Sequence, residues 1–149
     1  MAASLVALLA GCASAPDVKP YVTRPSSSRS SVVNYALSLQ GAPYRYGKAS
    51  PEEGFDCSGF VQHVYKHHGV MLPRRARDMA EQLPAITQNQ LTPGDLLFFN
   101  TNGGAFSHVG IFIQEDRFIH APSQRTGRVL ISSLTNKYWQ KHYTGARRP

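Results

Sequence analysis

Apolar positions along the first half of the chain repeat with helical spacing, and along the second half with the short runs of strands. From Ser31, the positions Val32, Val33, Ala36, Leu37 and Gln40 fall on one helical stripe, and Gly41 stops it. The segment Ala42–Gly47 reads as a turn or extended loop. A second helix starts around Cys57, with Phe60, Val61, Val64, Tyr65 and His68 on its buried side and Gly69 as its C-terminal glycine. A short third helix is predicted over Ala76–Leu83. After Pro93-Gly94 the period changes. Residues 95–99, 108–113, 117–120 and 128–131 read as strands, and a last one spans Tyr143–Arg147. Gln114-Glu115-Asp116 is the turn of a hairpin between the second and third of these. Helices first and strands second predict an α+β fold, with N-terminal helices packed on an antiparallel β-sheet.

The N-terminal stretch has a different character. A short apolar run, Leu5 to Ala10, ends in Gly11 and Cys12, the pattern of a bacterial lipoprotein signal peptide cleaved before a lipid-modified cysteine. No basic residue precedes that run, which departs from the pattern. Residues 13–30 are rich in Ala, Ser and Pro, a composition that cannot bury a core. The expected organisation is a signal peptide over 1–11, a lipid-anchored linker over 12–30 and one catalytic domain over 31–149.

The chain has 149 residues and a net charge of +7. That length suffices for one domain with a core. The positive balance favours anionic partners. No nucleic-acid motif accompanies it, and the cluster Arg74, Arg75, Arg77 is not interleaved with aromatics. Nucleic acid is therefore excluded as the expected partner.

Only two cysteines are present, Cys12 and Cys57. With Cys12 occupied by lipid, Cys57 is a lone thiol in an oxidising compartment. It opens the second helix, where unpaired N–H groups and a nearby cation lower a thiol pKa from about 8.5 towards roughly 3.5–7.5. Asp56 is the expected N-cap, and Ser58 and Gly59 keep the first turn small enough for a substrate to approach. Position alone does not separate a nucleophile from a buried apolar cysteine. His108 at a strand start supplies a base, and His120 in the next strand a group to orient it. A symmetric two-residue turn at Glu115-Asp116 would put the two histidines on opposite faces. Their cooperation requires an odd loop or a bulge in that hairpin.

Four segments in order, residues 55–61, 93–99, 107–111 and His120, resemble the NlpC-type bacterial cell-wall cysteine peptidases. The resemblance covers about residues 31–145. It implies a papain-like fold and hydrolysis of amide bonds in peptidoglycan stem peptides, with Cys57 as nucleophile, His108 as general base and His120 as its orienting residue. It implies that Tyr44 lines the catalytic cleft, where it assists the oxyanion, and that Asp56, Ser58 and Arg74 meet the substrate. Lys48 stands where the family often has a second glycine. Thiol chemistry of this kind needs no metal or organic cofactor. The expected protein is a monomer held by lipid on the periplasmic face of a Gram-negative outer membrane. An amidase, an acyltransferase or a catalytically silent wall-binding lipoprotein on the same fold are the alternatives.

His63 and His67 are four residues apart on the Cys57 helix, a spacing that can bind zinc, but no carboxylate stands between them. These two, with His68 and His142, are read as surface or boundary residues, Asp95 as a strand-entry turn residue and Trp139 as packing.

Overall fold

The computed structural model describes residues 26–149. In chain order it has helix α1 (Ser26–Ser38), a two-residue strand pair β1 (Ala49–Ser50) and β2 (Gly54–Phe55), helix α2 (Cys57–His67) and helix α3 (Ala76–Gln82). Then come β3 (Ala85–Ile86), a single 3-10 turn (Gln88–Gln90), β4 (Leu96–Phe99), β5 (His108–Gln114), β6 (Arg117–His120), β7 (Leu130–Ser133), α4 (Lys137–His142) and β8 (Tyr143–Arg147). Six strands form one antiparallel sheet in the order β3-β8-β4-β5-β6-β7. The α+β expectation holds. Cys12 and the apolar run before it lie outside the described residues.

Helix α1 begins at Ser26, five residues inside the stretch read as linker. Serine-rich sequence is a weak helix former, so tertiary contact decides. Arg29 donates to the carboxylate of Asp95 at 3.0 Å and ties the first turns to the sheet. Asp95 is fully buried and also accepts from Arg148 at 2.9 and 2.8 Å and from the Thr92 amide at 2.8 Å. It is the turn residue that the sequence predicts, and it joins both ends of the domain.

The sheet is covered on both faces. In β4, Leu96 and Phe98 point to the helices, where they meet Val32, Ala36, Phe60, Val64 and Met79. Leu97 and Phe99 point the other way, to Phe112, Phe118, Leu134 and Trp139. This two-sided burial explains why the strand reads as a continuous apolar run.

Strand β7 starts two residues later than the sequence predicts. Residues 127–129 pair with the 41–44 loop instead: the Tyr44 amide donates to Gly127 at 2.8 Å and the Val129 amide to Ala42 at 2.8 Å. That pairing fixes the loop carrying Tyr44 and moves Ser132 into the sheet, opposite Phe118.

The β5–β6 hairpin is the decisive local feature. Glu115 and Asp116 both have positive φ, as a two-residue turn matched to strand twist requires. The register then slips between Phe112 and Gln114, so that Ile111 faces Ile119. This is the bulge the chemistry demanded, and it places His108 and His120 on one face.

Candidate active site

Helix α2 begins as predicted. The Asp56 carboxylate accepts the Gly59 amide at 2.7 Å and caps the first turn. At the other end Gly69, at φ 73°, sends its amide to Lys66 while Val70 bonds Tyr65. Gly59 has a different reason from the one expected. A Cβ there would lie 2.2 Å from the Lys48 carbonyl and 3.1 Å from Ala49 Cα, so the glycine admits the β1 backbone rather than a substrate.

Cys57 opens onto a cleft of about 760 Å³, which Tyr44, Asp56, Ser58, Arg74 and His108 also line. Backbone N–H groups of Val109 and Ser58, with the Ser58 hydroxyl, hydrogen-bond the thiol, which therefore sits beside the start of β5. These donors favour a thiolate. Burial opposes them and is the larger effect, and the Asp56 carboxylate adds to it, so the thiol pKa is pushed up rather than down. The lowered pKa expected from the helix terminus alone is thus outweighed.

His108 is 3 % exposed and His120 fully buried. His108 Nε2 lies 2.7 Å from His120 Nδ1, and His120 Nε2 lies 2.8 Å from Ser132 Oγ. Burial pulls His108 down to about 4 and His120 well below the ordinary histidine value, the latter helped by His108 itself. At neutral pH both imidazoles are uncharged. Trp139 covers the pair, stacked on His108 at 5.5 Å between ring centres and edge-on to His120 at 4.8 Å. Gly110 makes the pair possible, since a Cβ there would meet Phe118 at 2.8 Å and His120 Cβ at 3.1 Å.

The remaining expected site residues are near the thiol but differently engaged. Arg74 donates to Asp56 at 2.9 and 2.6 Å and to Ser58 Oγ at 2.9 Å. Asp56 Oδ2 also accepts the Gly47 amide at 2.9 Å. Both carboxylate oxygens take hydrogen bonds within the chain, and Asp56, Ser58 and Arg74 together form one wall of the cleft. The Asp56 hydrogen bonds hold the Arg74 pKa above its ordinary value. Tyr44 is half-buried, and burial together with the neighbouring Cys57 raises its phenol pKa, so it stays protonated and able to donate.

Among the described residues no cluster of His, Cys, Asp and Glu could hold a metal ion. His63 bonds the Tyr35 hydroxyl at 2.9 Å, His67 stacks on the Tyr35 ring at 3.8 Å, and His68 bonds Ser31 at 2.9 Å. Two residues of the site carried no sequence signal. Ser132 is one short polar residue in a strand, and Trp139 sits in a polar segment without apolar periodicity.

A thiol at a helix start, sharing a cleft with a histidine on an antiparallel sheet, is the arrangement of a papain-like domain. The NlpC/P60 family model matches residues 41–148, and the chain belongs to that family. It is 44 % identical to the murein DD-endopeptidase MepH of Escherichia coli over 78 % of its own length and 44 % of MepH. It is 40 % identical to the probable endopeptidase NlpC of the same organism, over 95 % of this chain and 92 % of that protein. A crystal structure of a Staphylococcus aureus NLP/P60-family protein, described as similar to lipoprotein, superposes with a TM-score of 0.76 at 36 % identity. That match covers 89 % of this chain and 44 % of the other. The chain thus spans less than half the length of MepH.

Proposed function

We propose that this protein is a cysteine peptidase that hydrolyses amide bonds in peptidoglycan stem peptides. The observation that carries the reading is the 2.7 Å hydrogen bond between His108 and His120, beside the cleft that holds Cys57. The relatives named as murein endopeptidases support the substrate class.

The neutral pair dictates how the thiol is activated. Cys57 enters as a thiol and His108 as an uncharged imidazole. His108 takes the thiol proton as sulfur attacks the amide carbonyl. The Cys57 amide, at the open end of α2, and the Tyr44 hydroxyl donate to the oxyanion. His108, now imidazolium and held by His120, returns the proton to the leaving amine. A water deprotonated by His108 then hydrolyses the thioester. Arg75 and Arg77 also line the cleft; their charge suits the free carboxylates of stem peptides.

The placement we propose is the periplasmic face of a Gram-negative outer membrane, as a monomer anchored by lipid on Cys12. It rests on the sequence from Leu5 to Cys12 and on Ala13 following the cysteine. Metabolic labelling with a fatty acid tests it, and label that persists in Cys12→Ser contradicts it.

The activity is tested by incubating wild type and Cys57→Ala with purified peptidoglycan and analysing the released muropeptides by mass spectrometry. Wild type is expected to release stem-peptide fragments and Cys57→Ala none. Release by both contradicts the nucleophile assignment. Loss of the whole stem from the glycan identifies an amidase, and fragments newly joined to a second peptide identify a transferase. Binding without products identifies a silent wall-binding protein.

A further inference from the structure

The histidine pair does not end at His120. Its Nε2 is 2.8 Å from Ser132 Oγ, so an unbroken chain of hydrogen bonds runs from His108 through His120 to a hydroxyl on β7. The direction of the protons along that chain decides whether His108 can act as a base.

His108 uses Nε2 to contact His120, which leaves Nδ1 as its only nitrogen for the thiol. A neutral imidazole carries one proton. For Nδ1 to accept, that proton sits on Nε2 and is donated to His120 Nδ1. His120 Nδ1 is then an acceptor, so its own proton sits on Nε2 and needs an acceptor in turn. The group standing there is the Ser132 hydroxyl. In the opposite arrangement Ser132 donates, His120 carries its proton on Nδ1, and His108 accepts at Nε2. His108 then holds its proton on Nδ1 and cannot take one from sulfur.

We propose that Ser132, by accepting the Nε2 hydrogen of His120, fixes the protons of both imidazoles so that His108 Nδ1 is free to receive the thiol proton. Ser132 is a positioning residue, since it acts only through His120. The setting favours this control. His120 is fully buried, and Trp139 and Phe118 cover its ring at 4.8 and 4.6 Å between centres. An Nε2–H left without Ser132 would lose its acceptor at the partly buried edge of a ring that is itself fully buried, so the tautomer would shift. The backbone is built for the contact. His120 pairs with Leu130 and Phe118 with Ser132, which puts Ser132 and His120 on one face of neighbouring strands.

For its kinetic part the proposal rests on the peptidase reading; its spectroscopic part does not. The test is ¹⁵N NMR of the histidine side chains of the full domain at pH 7, where both imidazoles are neutral, with signals assigned by loss in His108→Gln and His120→Gln. In wild type both rings are expected to carry the proton on Nε2. In Ser132→Ala a substantial share of His120, and with it His108, is expected to move to the Nδ1–H form. With peptidoglycan as substrate, kcat should fall roughly tenfold to a hundredfold, by analogy with removal of the outer hydrogen-bond partner of a metal-bound imidazole. KM should change by less than about twofold, and Ser132→Thr should restore both the tautomers and kcat.

Identical tautomers in wild type and Ser132→Ala overturn the proposal whatever the activity, and a loss of kcat without a tautomer shift assigns Ser132 to packing alone. A wild-type His120 protonated on Nδ1 overturns it as well, as does a shifted tautomer with undiminished kcat. If wild type releases no muropeptides the peptidase reading fails, and the tautomer comparison still decides the role of Ser132.

Discussion

The molecule holds two clusters of histidines, and one of them lies beside the cleft that holds Cys57. His63, His67 and His68 surround Tyr35 where α1 meets α2. His67 lies flat on the phenol ring, and His63 bonds its hydroxyl. They are half-buried or exposed. His108 and His120 are enclosed, bonded to each other, capped by Trp139 and ended by Ser132. The first group uses imidazole as a flat surface and hydrogen-bond partner that joins two helices. The second is enclosed beside the cleft, its hydrogen bonds running from imidazole to imidazole to a hydroxyl. Residue type is the same, and the difference lies in burial, in directional partners and in the cleft beside the pair.

The comparison breaks most severely at the pair itself. His120→Ala should lower kcat by roughly 10²–10⁴-fold, because the base loses the partner that sets its orientation and tautomer. His67→Ala, four residues past His63 on the other cluster, should leave kcat within about twofold. A muropeptide release assay on both variants makes the comparison, and a similar loss in the two would erase the distinction.

The next effect is on stability against pH. His108 titrates at about 4 in the fold and near 6.5 when unfolded. A lowered folded pKa means that the unfolded chain binds the extra proton between those values. Stability is therefore complete above pH 6.5 and falls as pH drops towards 4. His108 alone contributes a loss of about 3 kcal/mol, an order-of-magnitude figure, and His120 acts in the same direction. Urea unfolding at pH 7 and pH 4 reads this, and His108→Gln should lose less stability between them than wild type does. Equal losses would mean that burial does not hold the pair neutral.

Gly110→Ala comes next. The new methyl would press on Phe118 and His120 and should cost about 1–3 kcal/mol. It should also lower kcat, because the displaced strand carries His120. The smallest effect belongs to the Tyr35 cluster. His67→Ala removes one aromatic stack and should lower stability by about 1 kcal/mol, seen as a small drop in melting temperature.

Much of this was legible in the chain because it rests on local pattern. The start of α2 is fixed by Asp56 and its end by Gly69, both readable as caps. His108 and His120 reach one face only through a bulge in the β5–β6 hairpin, and the register slip after Phe112 supplies it. What was not legible depends on distant partners. The early start of α1 needs Arg29 to meet Asp95, 66 residues away. The engagement of Arg74 by Asp56 needs a loop to fold back over 18 residues. Helix α4 has a single apolar residue of note, Trp139, so no periodicity announces it, although Asn136 caps it. The thiol pKa depends on the fold in the same way: the helix terminus is visible in sequence, whereas the burial that outweighs it is not.

The proposed mechanism makes Cys57 and His108 one unit, with the imidazole removing the thiol proton at the moment of attack. Alkylation of Cys57 by iodoacetamide at pH 7, in wild type and His108→Ala, tests it without any assumption about the substrate. The rate is expected to be at least tenfold lower in His108→Ala, with the wild-type rate still rising above pH 8 because burial holds the thiol pKa high. Equal rates in the two proteins would contradict it.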